Sequence, residues 1–213
     1  MKVIVTGATS FLGTHFVEMV KNKVEDVISL SSKEIDITNS ISFPSGDVLY
    51  HLAANSRIYM AREKIVEDFQ INAIGTINVL EAAYKAGIKK IVYISTALVY
   101  EDLYNSNEES PVGSTKVSGP YGVSKLVGEL YIKQYAFERG FEYVILRPSG
   151  LYGKGMKKNP IYDMVMGFVT GMPIKLHHDI NSEFDFIHVK DVARAMVMAL
   201  DWKDEILNVS HGK

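Results

Sequence analysis

Five short runs rich in Val, Ile and Tyr, spread over the first 150 residues, constrain this chain more than any other feature. They are 2–6 (KVIVT), 27–30 (VISL), 48–52 (VLYHL), 90–95 (KIVYIS) and 143–146 (YVIL). Each is apolar without alternation. A strand that reads this way is buried on both faces, as in a parallel sheet covered by helices on each side. Helical spacing fills the gaps at 12–21, 61–86 and 121–139, and Gly87 and Gly140 mark the ends of the last two. Strand, helix, strand in repetition predicts an α/β fold with a doubly wound parallel sheet.

The first run leads into TGATSFLG (6–13). A dinucleotide needs a tight turn there, close approach of its pyrophosphate to backbone N–H groups, and a helix N-terminus aimed at the negative charge. Gly7 and Gly13 supply the turn because they lack a Cβ. Ser10 stands where a middle glycine is expected, and its hydroxyl is able to donate to a phosphate. Gly7, Thr9, Ser10, Phe11, Leu12 and Gly13 are therefore the candidate pyrophosphate cradle of a Rossmann-like domain. The second strand of such a domain ordinarily ends in an acid that accepts from the adenosine ribose. Here Ser31, Ser32 and Lys33 hold that place, which suits a 2′-phosphate and leans towards NADP over NAD. Asp36, with Ile37 beside it, is placed to reach the adenine.

The fourth run ends in STALVY, so Ser95 and Thr96 face the crevice at the strand ends. Tyr121 and Lys125 lie four residues apart on the following helix and share one face. A tyrosine titrates near 10, and bringing it to about 7 takes roughly 4 kcal/mol of preference for the phenolate. An ammonium, a nicotinamide cation and a helix N-terminus all act in that direction. The same spacing also fits a tyrosine packed on a lysine stem.

The 213 residues carry a formal charge of −2 and are 47% hydrophobic, without the basic excess that draws nucleic acid. No apolar run reaches the roughly 18 residues of a membrane span, and the N-terminus is too weakly apolar for a signal peptide. No cysteine is present, which removes disulfides and thiolate chemistry and fits a cytoplasmic protein. No metal is expected: His177 and His178 are neighbours that point apart on an extended chain. His51 reads as a satisfied core histidine, and His188 and Asp191 as structural. The polar loop 101–120 is long enough to be functional or mobile. Lys154, Lys157 and Lys158 form either a solvated lip or one that attracts a phosphorylated substrate.

After residue 150 the pattern changes to a helix (161–171), a short strand (184–189), a helix (191–200) and a strand (206–209). The expected division is a dinucleotide-binding Rossmann domain at 1–150. Residues 151–213 then make a small, apparently truncated substrate-binding region interleaved with the last sheet elements.

Seven stretches together resemble the extended short-chain dehydrogenase/reductase family, in its nucleotide-sugar epimerase, dehydratase and reductase group. They are TGATSFLG (6–13), HLAANS (51–56), INAIGTINVLEAA (71–83), STALVY (95–100), PYGVSK (120–125), RPSGLYG (147–153) and FDFIHVKDVARA (184–195). The resemblance implies that Tyr121 is the catalytic tyrosine, Lys125 its partner and Thr96 the hydroxyl member. It implies that Leu52, Ala53 and Ala54 border the cofactor, that Asn72 supports the active-site backbone, and that Arg147 and Pro148 lead to the nicotinamide and sugar. It also implies a homodimer through the helices at 61–86 and 121–139. Ala97 and Leu98 stand where the family's 4,6-dehydratases carry an acidic pair, so that reaction is not expected. The expected activity is NAD(P)-dependent epimerisation or reduction of a nucleotide sugar. The alternatives are a non-catalytic dinucleotide-binding module or a C-terminally truncated, inactive enzyme.

Overall fold

A computed structural model of the chain describes residues 1–113, 119–157, 159–173, 179 and 181–212. Residues 114–118 of the long polar loop, Lys158 and the His177–His178 pair lie outside the described residues.

The strands are β1 (Lys2–Thr6), β2 (Asp26–Leu30), β3 (Val48–His51), β4 (Lys90–Ile94), β5 (Glu142–Pro148), β6 (Gly150–Tyr152), β7 (Phe186–His188) and β8 (Glu205–Val209). The helices are α1 (Phe11–Val20), α2 (Ile58–Glu63), α3 (Ile65–Phe69), α4 (Gly75–Lys85), α5 (Gly119–Arg139), α6 (Pro160–Thr170) and α7 (Val189–Met198). Six strands form one sheet in the order β2-β1-β3-β4-β5-β8, and β6 pairs with β7 apart from it. Every pairing is parallel. The expected doubly wound sheet is present, and its strands fall within two residues of the runs read from the sequence.

Side chains of successive strand residues leave opposite faces of the sheet. Val3, Val5, Tyr50, Val92, Val144 and Leu146 therefore pack with Phe16 of α1 and Val192 and Met196 of α7. Ile4, Leu49, Ile91, Tyr93 and Ile145 pack on the other face with Val79, Leu80 and Ala83 of α4 and Ile132 of α5. Both faces are buried, which is why the runs do not alternate.

From β1 the chain moves outward to β2, then crosses back to β3 on the other side of β1. That reversal opens a crevice beyond the C-terminal ends of β1 and β3, the usual ligand position in such sheets.

The predicted single helix at 61–86 is instead broken. Lys64 leaves helical geometry at φ −130°, ψ 62°, and Gln70–Ile74 widens into a π-helical turn before α4 begins. Polar demands inside the turn account for this. Asn72 is buried, accepts from the Asn55 N–H at 2.8 Å, and donates to the Asp68 carboxylate at 3.0 Å. π turns of this kind are frequent at functional sites. Both helices predicted to stop at glycine do so, with Gly87 and Gly140 at positive φ.

Candidate active site

The glycine turn is shaped by close backbone approach. A Cβ at Gly7 would lie 2.6 Å from the Ala53 nitrogen and 2.8 Å from the Leu52 carbonyl carbon, and one at Gly13 would collide with the Gly7 carbonyl oxygen. The turn thus presents bare backbone at the switch point, a cradle that a Cβ would fill and that fits a pyrophosphate. Ser10 caps α1, its Oγ accepting from the Gly13 N–H at 3.0 Å, so its hydroxyl proton remains to donate. Thr9 and Ser10 are exposed, while Leu12 turns into the core and has only its backbone to offer.

At the end of β2 the arrangement differs from the expected open patch of hydroxyls and ammonium. The Glu34 carboxylate folds back onto Ser31, accepting from its N–H at 2.7 Å and from its hydroxyl. These bonds from Ser31 hold the Glu34 carboxyl below its usual range. An ionised acid therefore stands at this strand end, contributed from three residues further on. Ser32 and Lys33 are exposed beside it. Asp36 closes its own turn on Thr38 and Asn39, and Ile37 is buried against Gly75.

Leu52, Ala53 and Ala54 follow β3 along the turn. His51 before them is fully buried and bonded through both ring nitrogens, as expected of a structural histidine. The bonds assign its tautomer. Thr76 Oγ1 donates to the Asn72 carbonyl at 2.6 Å, so it accepts from Nε2–H at 3.1 Å. Nδ1 then accepts from Thr6 Oγ1 at 2.8 Å, and Thr6 accepts from the Ala53 N–H at 3.3 Å. Burial lowers this histidine to about 3, so it is neutral.

Thr96, Tyr121 and Lys125 are buried where β4 and α5 meet the crevice. Thr96 Oγ1 accepts from the Leu98 N–H at 3.2 Å, capping the tight turn Ala97–Val99, and keeps its own proton available. Lys125 Nζ lies 4.0 Å from the centroid of the Tyr93 ring. Burial draws its ammonium down to about 7, against the pull of Glu129 and Asp68. Burial and the Asp68 charge push the Tyr121 phenol up. The protein alone therefore keeps this phenol protonated, opposite to the direction expected from the lysine.

Two residues read as facing the ligand face inward. Ser95 is buried and its hydroxyl donates to Glu129. Arg147 is buried and holds Glu129 in a two-pronged pair, Nε at 3.0 Å and Nη2 at 2.6 Å, while Nη1 donates to Tyr100 Oη at 2.9 Å. Neither side chain is free for a nicotinamide or a sugar. Pro148 ends β5, buried like Arg147. Glu129 itself was missed by the sequence reading, although Tyr121, Lys125 and Glu129 recur every four residues on one helix face. A charge on the buried stripe of a helix was the available signal. His188 caps α7 by accepting from the Lys190 N–H at 3.3 Å, a structural role.

The sequence pattern of the NAD dependent epimerase/dehydratase family matches residues 3–210. A Methanocaldococcus jannaschii protein provisionally named UDP-glucose 4-epimerase is 35% identical over 99% of this chain and 77% of its own length. The crystal structure of Thermus thermophilus UDP-glucose 4-epimerase in complex with NAD superposes with a TM-score of 0.89 at 25% identity, covering all of this chain and 78% of that one. A dTDP-4-dehydrorhamnose reductase from Clostridium acetobutylicum superposes at 0.81 with 26% identity, covering 99% of this chain and 74% of that one.

Proposed function

Because the chain belongs to the NAD dependent epimerase/dehydratase family, we propose that it epimerises or reduces a nucleotide sugar by hydride transfer, with Tyr121, Lys125 and Thr96 as its catalytic residues. The observation that carries this reading is the burial of all three beside a crevice whose glycine cradle fits a dinucleotide. The dinucleotide, when bound, accepts and returns hydride. Tyr121 takes the proton of a ring hydroxyl as the carbon beneath it is oxidised, and gives it back on reduction. The Lys125 ammonium stabilises the phenolate and donates to ribose hydroxyls. Thr96, with a free hydroxyl proton, orients the sugar oxygen. Ala97 and Leu98 supply neither acid nor base, so elimination of water has no catalyst there. The first test is incubation with UDP-glucose and with a 4-keto nucleotide sugar plus NADH, followed by NMR. Formation of the C4 epimer or of the reduced sugar supports the reading, and neither product overturns it.

The redox partner is read as NAD. Glu34 sets an ionised carboxylate at the end of β2, where it accepts from a free ribose diol and repels a 2′-phosphate. This revises the lean towards NADP drawn from Ser31, Ser32 and Lys33. NADH is expected to bind at least about tenfold more tightly than NADPH, and Glu34→Gln to narrow that ratio to about twofold. Fluorescence titration of both cofactors checks this.

A homodimer is the proposed assembly. Tyr59 is 76% exposed, Val66 70% and Phe137 88%, and they lie on α2, α3 and α5. Apolar side chains this open are expected to be covered by a second copy. Light scattering should give twice the chain mass, and Val66→Glu should shift it towards the monomer. No described helix is long and apolar enough to cross a membrane.

A further inference from the structure

Four charged side chains are buried where α3, α5 and β5 meet: Asp68, Lys125, Glu129 and Arg147. Glu129 and Arg147 satisfy one another. One anion and one cation are left. Asp68 is fully buried, yet among the described residues its oxygens accept only from neutral donors: Asn55 Nδ2 at 3.1 Å, Asn72 Nδ2 at 3.0 Å and Ser124 Oγ at 2.6 Å. It makes no ion pair among the described residues. Lys125 likewise touches no carboxylate there and rests on the Tyr93 ring. A lone buried charge is strongly unfavourable, and two opposite ones in the same water-excluded region offset each other without contact. Ser124 follows Tyr121 by one turn and precedes Lys125 directly, so the Asp68–Ser124 bond ties α3 to the tyrosine helix.

We infer that Asp68 is a positioning residue of the active site, the buried counter-anion of Lys125. The inference rests on the proposed tyrosine–lysine chemistry for its meaning, though not for its test. Around Lys125 stand Glu129 and Tyr121 from α5, Tyr93 from β4, neutral His51 from β3 and Asp68 from α3. Arg147 from β5 is matched to Glu129. Asp68 is thus the anion whose removal changes the charge on Lys125 without breaking an ion pair. After Glu129, it holds the lysine charged against burial, and the Asp68 charge opposes the phenolate of Tyr121 until positive charge arrives with the cofactor.

Asp68→Asn isolates charge from geometry. The amide oxygen can keep both asparagine donors. Its nitrogen then donates to Ser124 Oγ, whose hydroxyl turns to the Tyr121 carbonyl, already 2.9 Å away. Ser124→Ala does the reverse, cutting the tether and keeping the charge. NADH affinity is measured against pH over roughly 6 to 9. The affinity of the unaltered protein is expected to fall as Lys125 loses its proton. Asp68→Asn should move that midpoint down by about one pH unit or more. Ser124→Ala should leave it in place, and Lys125→Met should abolish it. An unmoved midpoint in Asp68→Asn, its absence in the unaltered protein, or its persistence in Lys125→Met overturns the inference.

A second measurement needs no cofactor. The stability losses of Asp68→Asn and Lys125→Met in the ligand-free chain should sum to more than the loss of the double variant. Additive losses overturn the inference. Failure of the chain to bind NADH would instead count against the enzyme reading and leave this cycle to decide the role of Asp68.

Discussion

Tyr121→Phe is expected to lower turnover of a nucleotide sugar by about 10³-fold and leave NADH affinity within about twofold. The residue is 8% exposed and its ring remains in the variant, so packing is preserved and the lost atom is the one proposed to move a proton. The size of the effect follows from how unfavourable a phenolate is here. An ordinary tyrosine needs roughly 4 kcal/mol to titrate near neutrality, and burial together with Asp68 sets this one higher still. Positive charge in the same pocket would reverse that, and Lys125 with the oxidised nicotinamide are the groups proposed to supply it. Lys125→Met should therefore move the acid limb of kcat/KM to higher pH as well as weakening cofactor binding. Progress curves and fluorescence titrations on both variants check this. Tyr121→Phe retaining more than about a tenth of the activity would remove the tyrosine from the chemistry and favour a pure binding module.

Much of this architecture is legible from neighbouring residues alone. Unalternating Val and Ile runs follow from burial of both sheet faces. Gly7 and Gly13 follow from a turn with no room for a Cβ. The face shared by Tyr121 and Lys125 follows from helix geometry. What was not legible depends on partners distant in sequence. Ser95 reads as a hydroxyl at a strand end, and it faces inward because Glu129, 34 residues on, accepts its proton. Arg147 reads, by resemblance, as part of the segment leading to the nicotinamide and sugar, and it turns inward because Glu129 pairs with it. The helix at 61–86 reads as continuous because its apolar spacing is regular, while its break and π turn serve Asn72, Asn55 and Asp68. Glu34 is the instructive case. Its partner is only three residues away, but it stands past the strand end where an acid is looked for, and only the reversed turn brings its carboxylate back.

Glu129→Ala is expected to destabilise the fold by about 3–5 kcal/mol, because it leaves the Arg147 guanidinium buried without its counter-charge. The pair is enclosed, with side-chain exposures of 0% for Glu129 and 3% for Arg147. Two Arg147 nitrogens meet the two carboxylate oxygens. Ser95 donates to the same carboxylate, and Tyr100 carries the network on to Asn208 of β8 at 2.8 Å. One carboxylate thus joins the residue after β4, α5, β5 and, through Arg147 and Tyr100, β8, with Ser95 next to Thr96 in the chain. In a chain of this size each kcal/mol corresponds to about 2–4 °C, so a fall of about 10 °C in Tm is expected. Replacing both partners with apolar residues of similar length, Glu129→Met with Arg147→Met, should be milder than Glu129→Ala alone, since a buried ion pair contributes less net stability than either unpaired ion costs. Thermal melts of the single and double variants separate the two cases. A single variant that melts within about 2 °C of the unaltered chain would mean that water reaches Arg147 and that the pair is not enclosed.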